Sequence, residues 1–164
     1  MDNFDTEIRA SATQVLNACR KRGWKAATAE SCTGGLIAGA LTEIAGSSDV
    51  VDRGFVTYSN EAKMGMLDVP EQTLATHGAV SEPTARAMAE GALANSLADV
   101  TVAVTGVAGP GGGSVEKPVG LVHFAAATNG KTISDHRVFD GDRGSVRHQT
   151  VLHALGMLRA LAEG

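Results

Sequence analysis

Three side chains stand where this sequence could place reactive chemistry: Ser31, Tyr58 and Lys63. Ser31 falls between a run with strand character, residues 24–29, and an apolar helical pattern over 36–44. In that setting the backbone N–H groups of Cys32, Thr33, Gly34 and Gly35 would point outward with the positive pole of the helix dipole. A serine there can be a nucleophile beside an oxyanion hole; alternatively it, or Thr33, only caps the helix. Cys32 is a rival nucleophile, but no histidine can be paired with it, and a small buried thiol is the commoner fate of a lone cysteine. Lys63 comes about four residues after Ser59, in the first turn of a helix that Asn60 would cap. A cation is disfavoured there by ~0.3–1 kcal/mol even when exposed, and in a dry site the dipole and desolvation both favour the neutral amine. Such a lysine can serve as general base to a serine; otherwise it is a solvated surface lysine. Tyr58, the sole tyrosine, could orient the lysine or donate to a substrate, or pack with its hydroxyl satisfied.

A second group could hold an anion. A strand predicted over residues 99–105 runs into Gly106-Val107-Ala108-Gly109-Pro110-Gly111-Gly112-Gly113-Ser114. That backbone can approach a ligand closely and offer N–H groups and the Ser114 hydroxyl, or it is a flexible crossover. Arg143 and Arg147 fall on the first turns of the last predicted helix, where cations need a compensating anion or a carboxylate such as Asp142. They are candidate phosphate holders or solvated arginines. Other patterns fail. Tyr58 and Lys63 are five apart where short-chain dehydrogenases have four, the glycine run fits neither a dinucleotide nor a Walker loop, and Ser31 has no Gly-x-Ser-x-Gly elbow. Cys19, Cys32 and the five histidines lack the spacings of a zinc site, so no metal is expected.

These positions depend on elements that the hydrophobic pattern predicts. Ile8, Ala12, Val15, Leu16 and Cys19 recur at helical spacing, and Arg20-Lys21-Arg22-Gly23 suits a helix end near Arg22. The helix over 36–44 is closed by Gly46, and residues 53–59 form a second strand. Short helices follow over 60–67 and 70–77, then a longer one from Ser81-Glu82-Pro83 with Ala85, Met88, Ala89, Ala92 and Leu93 inward. Leu121–Thr128 and residues 132–139 flank Asn129-Gly130, a hairpin signal. Asp142 can cap a last helix whose stripe is Val146, Val151, Ala154, Leu155, Leu158 and Leu161. Strands alternating with helices, then a hairpin, predict an α/β fold: a three-layer α/β/α sandwich around a mixed, roughly five-stranded sheet, as one domain over 1–164. Ligands usually bind at loops after strands on the carboxyl edge of such a sheet.

Composition narrows the function. The chain has 164 residues, 43% hydrophobic and 20% charged, which suits one soluble domain. No apolar run approaches the ~18–20 residues of a membrane helix, and the acidic start over residues 1–9 is unlike a signal peptide, so a cytoplasmic, membrane-free protein is expected. With 14 Lys and Arg against 18 Asp and Glu, the net charge of −4 supplies no global attraction for nucleic acid.

The stretches Thr-Ala-Glu-Ser-Cys-Thr-Gly-Gly from Thr28, Gly-Phe-Val-Thr-Tyr-Ser-Asn-Glu-Ala-Lys from Gly54, Gly-Ala-Val-Ser-Glu from Gly78, Thr-Gly-Val-Ala-Gly-Pro from Thr105, Lys-Pro-Val-Gly from Lys117 and Gly-Asp-Arg from Gly141 occur in this order. Together they resemble the C-terminal domain of the competence/damage-inducible protein CinA, a family with free-standing nicotinamide-nucleotide amidases, over nearly the whole chain. The resemblance implies a three-layer α/β/α domain, usually dimeric, that converts nicotinamide mononucleotide to nicotinic acid mononucleotide and ammonia. It implies a serine–lysine–tyrosine group at Ser31, Lys63 and Tyr58 and no cofactor. The backbone amides of Thr33 and Gly34 are expected at the oxyanion, and Gly35, Thr105, Gly106, Gly109, Gly112, Ser114 and Arg143 at the nucleotide, with its phosphate against the glycine loop and Arg143. The expected partner is thus a small nucleotide, with the chain as a homodimer. Some longer members carry an N-terminal domain with a pyrophosphatase activity; that activity is not expected of this sequence. A non-catalytic nucleotide or phosphosugar binding module is the alternative.

Overall fold

The computed structural model describes residues 3–164. The elements run α1 (Thr6–Arg22), β1 (Ala26–Glu30), α2 (Leu36–Glu43), a 3₁₀ turn (Ser47–Asp49), β2 (Val51–Val56), α3 (Asn60–Leu67), α4 (Glu71–His77), α5 (Glu82–Ala94), β3 (Val100–Gly106), β4 (Leu121–Thr128), β5 (Lys131–Val138) and α6 (Arg143–Glu163). β1 lies between β2 and β3, parallel to both, and β4 and β5 add antiparallel, giving the order β2-β1-β3-β4-β5.

Side-chain alternation on the strands divides the core into two layers. Val100, Val102 and Val104 of β3 join Val122, Phe124 and Ala126 of β4 under α1, α2 and α6. On the opposite face Ala29, Ala103, Ala125 and Ala127 meet α3, α4 and α5. This is the expected α/β/α sandwich. The alanine-lined face lets α5 lie close, and Gly91 carries the closest approach: a Cβ there would stand 1.9 Å from the Leu67 carbonyl oxygen.

Polar caps set the helix starts. Asp5, Ser81 and Asp142 accept the N–H groups of Ile8, Thr84 and Ser145 at 2.9, 3.3 and 2.9 Å. α3 departs from expectation: Ser59, not Asn60, is the cap, accepting from the Ala62 N–H at 3.0 Å, and Asn60 is the first helical residue. α2 stops at Glu43, and Gly46 opens the 3₁₀ turn instead of closing the helix. β2 ends at Val56, earlier than the expected 59, because the Thr57 N–H makes a last bond to the Glu30 carbonyl (2.8 Å) and the chain then turns into the Ser59 cap.

Candidate active site

Connections from β1 and β3 leave for different sides of the sheet, so their carboxyl ends bound a crevice at the point where strand order reverses, the usual ligand position in an open α/β sheet. A cavity of about 230 Å³ opens there, between Ser31 and Cys32 after β1, Thr105 and Gly106 at the end of β3, and Lys63 of α3. A larger groove of about 720 Å³, bordered by Trp24, Asp99 and Asn129, belongs to the other end of the sheet, away from this pair of loops.

Lys63 is 1% exposed, and its Nζ lies 3.0 Å from Ser31 Oγ and 2.9 Å from the Thr57 carbonyl oxygen. Helix geometry explains the reach. The Cα–Cβ bond of a helical residue tilts toward the N-terminus, so a lysine one turn into α3 projects back over the segment that precedes the helix. Among the described residues no carboxylate pairs with this amine. Burial holds Lys63 below its ordinary value of 10.5 because the charged form would lose its hydration. A neutral Nζ can accept the Ser31 hydroxyl proton while donating to Thr57, an arrangement chemically able to supply a nucleophile and a base. The neighbouring Cys32 is a poor rival: burial pushes its thiol up to about 11, leaving little thiolate at neutral pH.

The loop from Ser31 to Gly35 needs two consecutive glycines, since Gly34 (φ 57°) and Gly35 (φ 107°) both lie in the left-handed region. Gly35 is the N-cap of α2 and supplies no side chain to it. The first-turn amides of α2 are instead taken by Glu30, fully buried at the end of β1. Its Oε1 accepts from the Ile37 N–H (2.9 Å) and the Thr33 hydroxyl (2.6 Å), and its Oε2 from the Ala38 N–H (3.0 Å) and the Thr28 hydroxyl (3.3 Å). The expectation of an open helix pole beside Ser31 is therefore corrected: a carboxylate of the chain itself fills it. The Gly34 N–H is also committed, to the Ser31 carbonyl at 3.1 Å, so it is not available to an oxyanion in this conformation. Cys32 and Thr33 donate their backbone N–H groups to no other residue among the described ones, and Cys32 lines the cavity.

Tyr58 stands on the cavity rim, 63% exposed. Its hydroxyl oxygen accepts from Arg143 Nη2 at 3.3 Å, where a bond toward Lys63 was expected, and its own O–H proton has no acceptor among the described residues. Arg143 lines the cavity and also donates to the Gly109 carbonyl (2.8 Å), tying the glycine loop to the start of α6. Arg147, the other candidate phosphate holder, is spent on the nucleophile loop, donating to the carbonyls of Cys32 (3.1 Å) and Thr33 (3.2 Å). Thr105 and Gly106 line the cavity, with the Thr105 hydroxyl donating to the Ala79 carbonyl at 2.8 Å. Gly35, Gly109, Gly112 and Ser114 lie outside its lining. Gly35 faces Val56, and Ser114 Oγ accepts from the Lys117 N–H (3.0 Å) in an exposed turn. A second groove of about 480 Å³ shares Ala108 and Arg143 with the cavity and runs along Pro110 and residues 141–144.

Sequence reasoning missed Glu30, the Thr57 carbonyl and the Ala79–Val80 wall. Glu30 had a signal: a glutamate closing an otherwise uncharged strand, Ala26–Glu30, must be paired or solvated by donors once buried.

Comparison with known proteins identifies the family and the fold. The profile of the CinA C-terminal domain matches residues 8–162. The chain is 54% identical over 155 residues to the nicotinamide-nucleotide amidohydrolase PncC of Escherichia coli K12, covering 94% of each. It is also 54% identical to a relative from Caldicellulosiruptor bescii, of whose length it spans only 35%, about a third. Among solved structures, the competence/damage inducible protein CihA from Agrobacterium tumefaciens superposes with a TM-score of 0.95 at 56% identity, covering 98% of this chain and 99% of that one. With a profile that spans almost all of its elements and a solved relative that superposes over nearly its whole length, the chain belongs to the CinA C-terminal domain family.

Proposed function

We propose that the protein is an amidohydrolase that deamidates nicotinamide mononucleotide to nicotinic acid mononucleotide, with Ser31 as nucleophile and Lys63 as general base. The observation that carries this reading is the 3.0 Å approach of a buried, carboxylate-free Lys63 Nζ to Ser31 Oγ at the sheet's switch point. The E. coli relative, matched over 94% of both chains, carries the same activity in its name. Lys63 takes the Ser31 proton as Oγ bonds to the carboxamide carbon. The oxyanion is assigned to the backbone amides of Cys32, which lines the cavity, and of the neighbouring Thr33. As the C–N bond breaks, ammonia leaves with the proton returned from Lys63, helped by the free Tyr58 O–H on the rim. Water then adds to the acyl ester, gives its proton to Lys63, and Ser31 is released with its hydroxyl restored.

At about 230 Å³ the cavity is below the ~300–1,000 Å³ usual for a whole ligand. It suits the amide-bearing ring, while the adjoining groove and Arg143 suit the ribose and phosphate. The same reading takes the enzyme as a cytoplasmic homodimer that needs neither metal nor cofactor; among the described residues no helix is long and apolar enough to cross a membrane.

The test is ammonia release from nicotinamide mononucleotide. Wild type should turn over, Lys63→Ala should lose ~10²–10⁴-fold, and Ser31→Ala should lose about 10³-fold or more with its fold intact. Wild-type turnover by Ser31→Ala would remove the nucleophile assignment, and no ammonia from wild type would leave the binding module as the better reading.

A further inference from the structure

We propose that Glu30 is a positioning residue for the reaction, its carboxylate holding the Ser31 loop while its main-chain carbonyl, through Thr57, holds the Lys63 amine. The inference rests on the reading of Ser31 and Lys63 as nucleophile and base.

A fully buried carboxylate with no cation partner among the described residues is costly unless donors surround it. Glu30 has four, all neutral, and their placement is informative. The Ile37 and Ala38 amides fix the far end of the loop to the carboxylate, the Thr33 hydroxyl fixes its middle, and Ser31 is covalently the next residue. The loop is thus held at its middle and far end by the side chain of the residue that leads into its start. The main chain of Glu30 extends the same control to the base, since its carbonyl accepts the Thr57 N–H at 2.8 Å and the Thr57 carbonyl accepts from Lys63 Nζ at 2.9 Å. Gly35 must be glycine for its left-handed φ and so cannot cap α2 with a side chain. A residue at the end of the preceding strand can do so and span the loop at the same time. Displacing reacting groups by about 1 Å can lower rate ~10²-fold, so such a strap bears on turnover more than on binding.

All four partners are donors, so Glu30→Gln leaves its amide nitrogen facing an N–H or O–H and frees the loop. Thr33→Val removes only the middle tie. The experiment measures the rate at which a fluorophosphonate probe labels Ser31 at a temperature well below unfolding, together with kcat and KM for nicotinamide mononucleotide. Labelling and kcat should fall together, about 100-fold in Glu30→Gln and about 10-fold in Thr33→Val, with KM within about threefold. Thr33→Ser should recover most of the Thr33→Val loss, and Thr28→Val, which removes the longest of the four bonds, should stay within about twofold. A merely structural carboxylate would lower Tm and leave labelling of the folded protein at the wild-type rate, and that result overturns the proposal. If Glu30→Gln does not fold, the Thr33→Val and Thr33→Ser pair decides by the same criterion. Labelling at Ser31 without ammonia release would sink the substrate reading while still testing the strap, whereas a wild type that is never labelled at Ser31 would overturn the strap too.

Discussion

Lys63 is an amine enclosed by oxygen acceptors and apolar walls, and that enclosure has a measurable thermodynamic sign. In the folded chain it releases its proton at a lower pH than in the unfolded chain, where the ordinary value is 10.5. Between the two values unfolding takes up a proton, so stability rises with pH across that window. Lys63→Met cannot titrate. The unfolding free energy of wild type should therefore gain on that of Lys63→Met as pH rises through the window toward 10.5, by at most about 1.4 kcal/mol per pH unit, which urea melts in a pH series will show. With Lys63 as the proposed base, the acid limb of kcat/KM should lie below the ordinary lysine value and vanish in Lys63→Met. Arg143 works at a different point. It joins the Tyr58 hydroxyl to the Gly109 carbonyl across the mouth of the site, away from the Ser31–Lys63 contact. Arg143→Ala should raise KM about tenfold and change kcat less, separable by steady-state kinetics. Ser31 was legible as a polar residue just after a strand, and Lys63 as a cation near the start of a helix, where charge is disfavoured. The Tyr58–Arg143 bond was not, because it joins residues 85 apart in sequence and depends on how α6 returns to the sheet.

At the scale of elements, α5 is the strut between the alanine-lined sheet and the helix that carries Lys63. A methyl on Gly91 would meet backbone, the Leu67 carbonyl at 1.9 Å, and backbone cannot rotate aside. Gly91→Ala should destabilise by about 1–3 kcal/mol or more and lower activity by displacing α3. Gly156, exposed on α6 with nothing within 4 Å of an added methyl, is the matched control. Gly156→Ala should stabilise by about 0.5–1 kcal/mol, and thermal melts of the two variants should move in opposite directions. The order and type of the elements were readable from hydrophobic period, caps and the Asn129-Gly130 turn, because those signals are local. The end of β2 moved because it is set across the fold, where the Glu30 carbonyl takes the Thr57 N–H and ends the ladder. Gly91 gave no such warning: a glycine inside a helical pattern reads only as a weakness until its neighbour is known.

On the scale of the whole molecule, the crevice exists because β1 sends its chain to β2 on one side while β3 extends the sheet on the other. Ser31, Lys63 and the glycine loop then arrive from three separate connections, and the proposed base is an amine of the chain. Exhaustive chelation should leave turnover within experimental error of the untreated enzyme, as followed by ammonia release. The carboxylate that fills the pole of α2 has a last consequence, for how the cycle ends. The proposed hydrolysis would create a new negative charge next to Ser31, and a vacant helix start would retain it. Here that berth is taken by Glu30, so the acid has little reason to linger, and nicotinic acid mononucleotide should inhibit only at concentrations well above the KM of the amide.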